Sequence, residues 1–384
     1  MKILVIAAGP LPLGRGTPAR TLRVSQALAS HGHDICVAAF PIADKSIETN
    51  LRIERSKGVR GYSKTSAGPS VAKLFFMNPR LVTKVRELLE HESFDVIYAH
   101  HYEGLLVASI ARRRAGVRAP IVFDSHTLLG SELSYYFPSS LSWLVSWLGS
   151  VLDSHLFRLA DAVIGVSDEI TTFYASRSRP DLPIVTATNG VEYETFIRTS
   201  NSGSQSSSVR VVFAGNLSGY QGFDFLIAAY RIIRRQRQDI ELIIASREAD
   251  EVLAAMGIAN PEEEGITVLS GEFNELPSIL ASADIATNPR TVCPGIPQKL
   301  LNYMAAALPT VSFEGSSAIL VHEKTGLIVS NGNIDDFAKA IMRLADASDM
   351  RLRMGNAARA LIKAEYTWER VAATFEHVCQ MLKQ

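Results

Sequence analysis

Residues 211–230 read VVFAGNLSGYQGFDFLIAAY, and this stretch decides the fold class. A continuous apolar run passes through a glycine-containing turn into a segment with helical spacing. Residues 1–20, MKILVIAAGPLPLGRGTPAR, have the same layout. Apolar runs without polar alternation are typical of parallel strands that are buried on both faces. Because one such start opens each half of the chain, the sequence predicts two doubly wound α/β domains.

Strand and helix patterns alternate after each start. Strands are predicted at 3–8, 35–40, 96–99, 121–123 and 162–166, and then at 209–214, 241–245, 266–269, 285–288 and 310–313. Helices are predicted at 21–31, 80–91, 105–115, 141–160, 223–235, 276–282, 297–307, 334–345, 349–365 and 368–383. The segment RTSNSGSQSSS at 198–208 is polar and Ser-rich, which favours a linker. We therefore expect one domain over 1–196 and another over 209–366, facing each other across a cleft.

Composition excludes several classes of function. The 39 basic and 39 acidic residues of this 384-residue chain cancel, so the basic excess of a nucleic-acid-binding protein is missing. Cys36, Cys293 and Cys379 are few and far apart, which argues against a disulfide framework or a four-cysteine zinc site and favours a cytoplasmic setting. No apolar run is long enough to predict a membrane span. The apolar N-terminus is interpreted as a buried strand, not a signal peptide, because a Gly/Pro-rich loop follows it.

Two strand-to-helix turns are candidate phosphate sites. Gly14 and Gly16 flank Arg15 shortly before a helix that is predicted to start near Pro18, and Gly215 occupies the equivalent turn in the second half. The free N–H groups and the positive dipole end of a helix N-terminus favour an anion. Glycines in such turns also meet purely steric needs, so phosphate binding and a plain turn remain alternatives.

The segment 286–313, ATNPRTVCPGIPQKLLNYMAAALPTVSF, adds two cations. A strand ends near Asn288, the following loop carries Arg290, and a helix that begins at Pro297 carries Lys299. Proline suits the first turn of a helix because its missing N–H has no partner there. This arrangement would suit a diphosphate, and the alternative is a surface loop with solvated charges.

The order of these parts resembles the retaining glycosyltransferases of family 4, which have the GT-B fold of two Rossmann-like domains. The resemblance covers nearly the whole chain. It is carried by GRGTPARTLRVSQALASHGHDICVAAF at 14–40, DAVIGVSDEI at 161–170, TNGVEYETF at 188–196, HEKTGLIVSNGNIDDFAKAI at 322–341 and YTWERVAATFEHV at 366–378. It implies that a sugar moves from a nucleotide-diphosphate sugar to an acceptor hydroxyl, with retention, in glycan or glycolipid assembly. It also implies that no metal or other cofactor is needed, and that the C-terminal helix at 367–384 joins the first domain.

The chain departs from the family at four polar positions. The family's basic pair after the first C-terminal strand corresponds to Asn216 and Gln221, and its two glutamates correspond to Pro294 and Asn302. These changes suggest either a loss of activity or a divergent subgroup in which the contacts have moved.

We favour relocation of the lost cations to Arg290 and Lys299. An uncompensated diphosphate in a partly dry cleft would cost several kcal/mol, so a working donor site should keep cations somewhere. No nucleophile–base pair stands out, which agrees with front-face transfer, in which the donor diphosphate helps to deprotonate the acceptor.

The resemblance then implies the site residues. His126, in FDSHTLL at 123–129, faces the sugar in the family and is grouped with Arg290 and Lys299 as catalytic; a hydrogen-bonded strand-end histidine is the alternative. The donor is expected to contact Gly14, Gly16, Gly215, Asn216, Gln221, Glu272, Phe273, Gly295, Ile296, Pro297, Gln298, Leu300 and Asn302. The acceptor is expected at Arg15, His100, His101 and Glu103. A metal at this histidine cluster is not predicted, because the spacing gives no closed ligand set.

Two further segments indicate a membrane surface. Residues 50–86 hold nine basic residues and one acid, and SYYFPSSLSWLVSWLGSVL at 134–152 carries Trp143 and Trp147 without any charge. Basic residues beside interfacial aromatics are typical of peripheral attachment, here to the inner face of a membrane with a lipid-linked acceptor. A solvated loop and a packed helix are the alternative. Two rivals to the transferase also stay open: a catalytically silent partner subunit and a sugar-nucleotide epimerase.

Overall fold

The computed structural model describes residues 1–14, 16–65, 68, 70, 72–137, 139–197, 208–217, 219–246, 248–258, 260–272, 274–293 and 295–383. The chain divides into two compact units, one of Met1–Asn189 with Trp368–Gln384 and one of Gly190–Thr367. Residues 190–196, which the sequence analysis counted with the first domain, belong to the second unit because Val191 and Phe196 are buried in its apolar core. The predicted linker at 198–208 lies outside the described residues except for Ser208.

The first unit is built on a seven-stranded sheet in which all the neighbouring strands are parallel. Its strands are β1 (Lys2–Ala7), β2 (Asp34–Ala39), β3 (Arg52–Arg55), β4 (Val96–His100), β5 (Ile121–Ser125), β6 (Ala162–Gly165) and β7 (Ile184–Thr186), in the spatial order β3-β2-β1-β4-β5-β6-β7. Its helices are α1 (Gly16–Ser30), α2 (Asn78–His91), α3 (His101–Ala115), α4 (Leu129–Glu132), α5 (Ser139–Leu156), α6 (Asp168–Ala175) and, from the C-terminus, α13 (Trp368–Met381).

The second unit repeats the plan with six parallel strands. They are β8 (Val209–Ala214), β9 (Ile240–Ala245), β10 (Ile266–Leu269), β11 (Ile285–Asn288), β12 (Thr310–Phe313) and β13 (Gly326–Val329), in the order β10-β9-β8-β11-β12-β13. The helices are α7 (Phe223–Gln236), α8 (Ala249–Ala255), α9 (Leu276–Ser282), α10 (Gln298–Ala305), α11 (Ile334–Asp346) and α12 (Ser348–Glu365). The predicted doubly wound α/β class is confirmed in both units.

Each sheet buries both of its faces, as the unbroken apolar strands predict. In β1, Ile3 and Val5 pack with residues of α1 and α13, whereas Leu4 and Ile6 pack on the other face with residues of α2 and α3. Neighbouring side chains of a strand point to opposite faces, so a run without polar residues can fill two cores. The predicted first strand is therefore confirmed.

The strands that sequence reasoning missed, β3, β7 and β13, all lie at sheet edges. β3 reads RIER and has only partly buried or exposed residues. β7 has three residues and β13 has four. β3 is mixed in polarity, and β7 and β13 are too short to give the long apolar run that marks a central strand. In both sheets the strand order reverses direction between the first and the fourth strand of the unit. This switch point lies between β1 and β4 in the first unit and between β8 and β11 in the second. Ligands bind at such points in open α/β sheets.

Candidate active site

In the first unit, a buried charge network lies at the carboxyl ends of β4 and β5. Asp124 is inaccessible to solvent; its two carboxylate oxygens each accept from Nε of Arg20 at 3.2 Å, and one also accepts from Tyr98 Oη at 2.5 Å. Arg20 also donates to the backbone carbonyls of Ala187 (2.9 Å) and Thr188 (3.1 Å). Burial alone would raise the pKa of Asp124, but the Arg20 guanidinium and the neighbouring histidines outweigh it and hold the pKa at about 2. The carboxylate is therefore charged at physiological pH.

Two histidines lie against this carboxylate. His100 Nδ1 and His126 Nε2 are 3.2 Å apart, so one ring nitrogen donates and the other accepts, and each lies 3.6 Å from an oxygen of Asp124. Burial lowers the pKa of His100 to about 4 and that of His126 well below its usual value, although Asp124 opposes both shifts. Both rings are therefore neutral near pH 7 and act as hydrogen-bonding groups.

The same three side chains are close enough to be considered as a metal centre. One ligand atom from each of His100, Asp124 and His126 lies within 4.8 Å of the others. Both oxygens of Asp124, however, already accept hydrogen bonds from Arg20, and one also accepts from Tyr98. A cation here would have to displace the guanidinium, so these residues do not fit a metal ion, and we derive no step through one.

A cavity of about 350 Å³ opens beside this network, within the first unit. Its lining includes Gly16, Thr17, Thr21, Lys73, His100, His101, Tyr102, Glu103 and Glu132. An ion pair between Lys73 and Glu103 borders it, and so does a hydrogen bond between His101 Nε2 and Glu132 at 3.2 Å. Three of the predicted acceptor residues thus share one cavity, which is the right size for a small polar group such as a sugar ring.

His101 is the first residue of α3 and has a positive φ of 64°. For a residue with a Cβ the left-handed region costs about 1 kcal/mol or more. The strain is held in place at the junction of β4 and α3, where the ring of His101 meets Glu132 at the cavity wall.

Other residues predicted for this end of the chain lie elsewhere. Gly14 is exposed and does not line the cavity, and the His126 side chain lies beneath it, against Asp124. Arg15 lies outside the described residues. Gly14 and Gly16 as donor contacts therefore stay predictions.

In the second unit, Lys299 lies at the switch point between β8 and β11. Its Nζ is buried, has no hydrogen-bond partner among the described residues, and sits 4.1 Å from the ring centroid of Phe213. A Cβ on Gly215, whose φ is 145°, would lie 3.3 Å from this Nζ, so the glycine makes room for the ammonium group. Burial, helped by the charge of Arg290, lowers the pKa of Lys299 to about 7. An unpaired ammonium in this position is suited to an anion.

Arg290 lies near Lys299 on the loop after β11. Its guanidinium lies 4.9 Å from the ring centroid of Tyr220, and its Nε donates to the carbonyl of Val292 at 2.6 Å. Asn216 Nδ2 donates to Tyr220 Oη at 3.1 Å. The turns after β8 and β11 thus touch, and a Cβ on Gly222 would lie 2.0 Å from the carbonyl oxygen of Pro289.

Two more predicted donor residues have unsatisfied polar atoms in this unit. Oε1 of Gln221 and Oδ1 of Asn302 are buried without a hydrogen-bond partner in the part of the chain that the structure describes. Asn302 follows Lys299 by three residues, which places both on one side of α10. Each of these amides therefore has a polar atom that lacks a partner.

The remaining predicted donor residues differ in position. Pro297 is the N-cap of α10, Gly295 is exposed, Ile296 is half-buried, and Gln298 Nε2 donates to the carbonyl of Gly190 at 3.2 Å. Glu272 follows β10 in a turn. Phe273 and Pro294 lie outside the described residues.

One predicted donor contact needs correction. Leu300 is fully buried in the apolar core of the second unit, and its N–H donates to the carbonyl of Pro297. Helical spacing turns the side chain of residue 300 inward when that of residue 299 faces the switch point. Leu300 therefore offers neither side chain nor N–H to a ligand.

Two family models match this chain. The model described as "Glycosyl transferase 4-like domain" matches residues 15–190, and the model described as "Glycosyl transferases group 1" matches residues 208–347. Together they take in most of both units. The chain belongs to the family-4-type glycosyltransferases. The resemblance stated from the sequence is thereby confirmed.

Two curated relatives of this glycosyltransferase are distant in sequence but match it over most of its length. An uncharacterized glycosyltransferase of Haemophilus influenzae is 21% identical over 360 residues, which cover 93% of this chain and 94% of that protein. The UDP-Gal:alpha-D-GlcNAc-diphosphoundecaprenol alpha-1,3-galactosyltransferase of Escherichia coli is 22% identical over 284 residues, 70% of this chain and 71% of its own.

Among solved structures, the glycosyltransferase is similar to Anabaena Alr3699/HepE in complex with UDP and glucose. The TM-score is 0.71 at 18% identity, with 99% of each chain covered. At this identity the similarity concerns the fold, and it confirms the predicted GT-B class of two Rossmann-like domains.

Sequence reasoning about the glycosyltransferase missed several residues that shape its sites. Phe213 and Tyr220 lie beside the two cations, and Arg20, Tyr98 and Asp124 form the buried network. Asp124 carried a usable signal, because it is a charge inside the otherwise apolar strand β5. A buried charge needs a partner, so its strand position alone predicts a buried cation nearby.

Proposed function

We propose that this glycosyltransferase is a metal-independent, retaining hexosyltransferase of glycan or glycolipid assembly, in a divergent subgroup of its family. Its donor would be a nucleotide-diphosphate sugar bound at the second unit, and its acceptor would enter the cavity of the first unit. The observation that carries the proposal is the buried, unpartnered ammonium of Lys299 beside Gly215. A diphosphate supplies the negative charge that this group lacks.

The donor diphosphate would lie across the switch point of the second unit. Lys299 would contact it directly, and Arg290 would add charge from the side of Tyr220. The N-terminus of α10, which has eight residues, points its positive dipole end toward the same place. Asn302 and Gln221 offer buried amides for the remaining polar atoms of the donor, such as ribose hydroxyls. UDP is the nucleotide in the HepE complex and in the name of the Escherichia coli relative.

The transfer step would take place on one face of the sugar. The bond from the anomeric carbon to the diphosphate oxygen breaks as the bond to the acceptor oxygen forms on that same face, and the acceptor proton passes to the departing diphosphate. Lys299 and Arg290 then stabilise the charge that develops on the leaving group, which is where electrostatic stabilisation is most effective. His126 lies outside the cavity lining, so it would act indirectly by holding the ring of His100, which lies 3.2 Å away and lines the cavity.

Binding and turnover test the proposal separately. UDP, GDP and ADP are screened by thermal shift, because a ligand of the folded state raises the melting temperature in proportion to ln(1 + [L]/Kd). We expect one nucleotide to bind, and we expect Lys299→Met to weaken it by about 30-fold or more, the usual effect of removing a charged hydrogen-bond partner. Lys339→Met is the matched control, since Lys339 lies exposed on α11.

Turnover is measured with the matching UDP-sugar and a lipid-linked N-acetylglucosamine diphosphate. NMR of the product should show the anomeric configuration of the donor, and EDTA should leave the rate unchanged. Donor that changes configuration without an acceptor would indicate the epimerase. Nucleotide affinity equal in the wild type and Lys299→Met would remove the proposed donor site, and binding without turnover would favour the silent partner.

We also place the protein, within this proposal, in the cytoplasm at the inner face of a membrane. In the part of the chain that the structure describes, no helix combines the length and hydropathy that a membrane span needs. Attachment would therefore be peripheral, which suits an acceptor whose lipid stays in the bilayer.

A further inference from the structure

Helix α5 packs against the first unit through its small and polar side. The Asp153 carboxylate accepts from the N–H groups of Leu129 (3.0 Å) and Gly130 (2.9 Å), and Ser146 Oγ donates to the carbonyl of Gly130 (2.7 Å). Gly149 touches the same turn, where a Cβ would lie 2.7 Å from the Gly130 nitrogen. A helix at a water-facing surface normally buries its apolar side instead. In α5 the arrangement is inverted.

The outer side of α5 is apolar and exposed. Six large apolar residues face outward there, which we call the α5 face: Leu141, Trp143, Trp147, Leu148, Val151 and Leu152. Trp143 and Trp147 are 70% and 58% exposed, and the sequence has no charged residue from 139 to 152. Single exposed apolar residues are ordinary, but a contiguous apolar patch marks an interaction surface.

A second exposed apolar segment directly follows a residue of the cavity wall. Leu74, Phe75 and Phe76 are each at least half exposed. Lys73, which precedes them, lines the acceptor cavity together with Glu132, which precedes α5 in the chain. One exposed apolar segment thus directly follows a cavity-lining residue, and the chain enters α5 shortly after another.

Part of the positive charge of the basic segment at 50–86 is paired within the fold. Arg52 pairs with Glu54 and Glu92, and Lys84 pairs with Glu54. Arg55 donates instead to two backbone carbonyls, those of Phe40 and Leu11. Residues outside the segment therefore neutralise part of its charge, which a count along the sequence cannot show.

A second group of positive charges lies just beyond the C-terminal end of α5. Arg158, Arg177 and Arg179 line a pocket of about 370 Å³ whose apolar lining is Phe157, Ala160 and Leu182. The three arginines are exposed, and the acid that pairs with one of them, Asp181, is itself exposed. An apolar helix face that ends in a cluster of guanidinium groups is complementary to lipid chains below phosphate headgroups.

We propose that the α5 face docks on a bilayer that contains anionic phospholipid, with the three arginines at the depth of the phosphates. Trp143 and Trp147 would lie in the interfacial layer that tryptophan favours. This inference rests on the proposed function only for the purpose of docking, which would be to hold the acceptor cavity at the level of a lipid-linked sugar. Docking itself needs neither donor nor turnover.

Intrinsic fluorescence reports on the docking directly. The chain has three tryptophans, and the third, Trp368, is buried. With vesicles of phosphatidylcholine and phosphatidylglycerol, the emission should shift to the blue and be quenched by lipids with brominated chains. Co-sedimentation should fall as salt rises and be weak with phosphatidylcholine alone.

Two pairs of variants separate the apolar and the charged contributions. Leu148→Glu should weaken vesicle partitioning about tenfold or more, whereas Leu352→Glu, at an exposed leucine of α12, should not. Replacing Arg158 and Arg179 by Gln should weaken binding to the anionic vesicles by about tenfold. Replacing Arg235 and Arg353, exposed in the second unit, removes the same charge and should have little effect.

Three results would overturn the docking proposal. They are no binding to anionic vesicles at low salt, equal binding of Leu148→Glu and wild type, or a dimer in light scattering that Leu148→Glu converts to a monomer, which would assign the face to a second copy. UDP affinity is measured on every variant. A wild type that binds UDP but no anionic vesicles would contradict only this inference, and a wild type that binds the vesicles but no nucleotide would contradict only the proposed function.

Discussion

The two candidate sites treat their buried cations in opposite ways. In the first unit the buried and cavity-lining cations are paired, Arg20 with Asp124 and Lys73 with Glu103. In the second unit Lys299 Nζ has no hydrogen-bond partner in the described part of the chain, and the same holds for three buried amide oxygens. A buried polar group without a partner costs about 1–3 kcal/mol. The first site also leaves one such atom, His100 Nε2, but among the described residues its cations are paired within the fold, whereas Lys299 is not.

The largest expected effect comes from breaking the paired site. Arg20→Met leaves Asp124 buried without its cation and leaves the carbonyls of Ala187 and Thr188 without donors. Removing one partner of a buried ion pair costs about 3–5 kcal/mol. We expect the free energy of unfolding in urea to fall by that amount. Arg113→Met, an exposed arginine of α3, is the matched control and should change it by less than about 0.5 kcal/mol.

The double variant sharpens this prediction. Arg20→Met combined with Asp124→Leu removes both charges, so no ion remains buried without a partner. The double variant should regain a large part of the free energy of unfolding that Arg20→Met loses. A single variant that unfolds within 1 kcal/mol of the wild type would contradict the view that this pair holds the first site together.

The sequence predicts the interior of this fold well and its buried ion pairs poorly. Central strands such as β1 and β8 are apolar throughout, and that pattern depends only on burial on two faces. The edge strand β3 has no such pattern. The order of the strands in each sheet follows from the fold class. The contact between the loops after β8 and β11 could therefore also be predicted from the sequence.

The sequence does not show which residues pair when they lie far apart in the chain. Arg20 and Asp124 are 104 positions apart, and nothing local in either segment names the other. The same limit explains the basic segment at 50–86, where Arg52 finds Glu92 only once the chain folds. Lys299 was singled out from the resemblance, which aligns the family's two cations with Asn216 and Gln221 and so directs attention to other cations nearby.

The unpaired site should respond to pH in a range where the paired site does not. Without ligand the pKa of Lys299 is about 7, because burial and Arg290 disfavour its charged form. A bound diphosphate favours the charged form and raises this pKa, so binding takes up a proton above pH 7. UDP affinity should therefore fall by up to about tenfold per pH unit from pH 7 to 9, and calorimetry in buffers of different ionisation enthalpy should detect the proton.

Lys299→Met is the test of that assignment. The variant has no group to protonate, so its weaker UDP affinity should be flat from pH 7 to 9, while Lys339→Met keeps the wild-type slope. A slope that survives in Lys299→Met would assign the proton to another group. His100 and His126, whose pKa values burial lowers, stay neutral throughout this range.

The smallest effect comes from the one strained residue at the paired site. His101→Gly relieves the backbone strain at a φ of 64°, because glycine adopts this angle freely. The free energy of unfolding should therefore stay level or rise by about 1 kcal/mol. Because the variant also loses the ring that meets Glu132 at the cavity wall, transfer to the lipid-linked acceptor should show a KM several-fold higher at similar UDP affinity. His101→Asn, which tolerates this φ and keeps a donor, should recover part of the KM.

Glu323→Gly is the matched control for the strain. Its φ is 59°, and it lies exposed in the second unit, in an ion pair with Arg343. It should relax the backbone to a similar extent and leave the KM for the acceptor unchanged. If His101→Gly also leaves that KM unchanged, the ring does not contact the acceptor, and the strain at His101 serves only the packing of β4 against α3. A KM that rises in His101→Gly but not in Glu323→Gly would mean that the fold tolerates backbone strain in the first unit for the sake of a ligand. An unpaired charge would be tolerated in the second unit for the same reason.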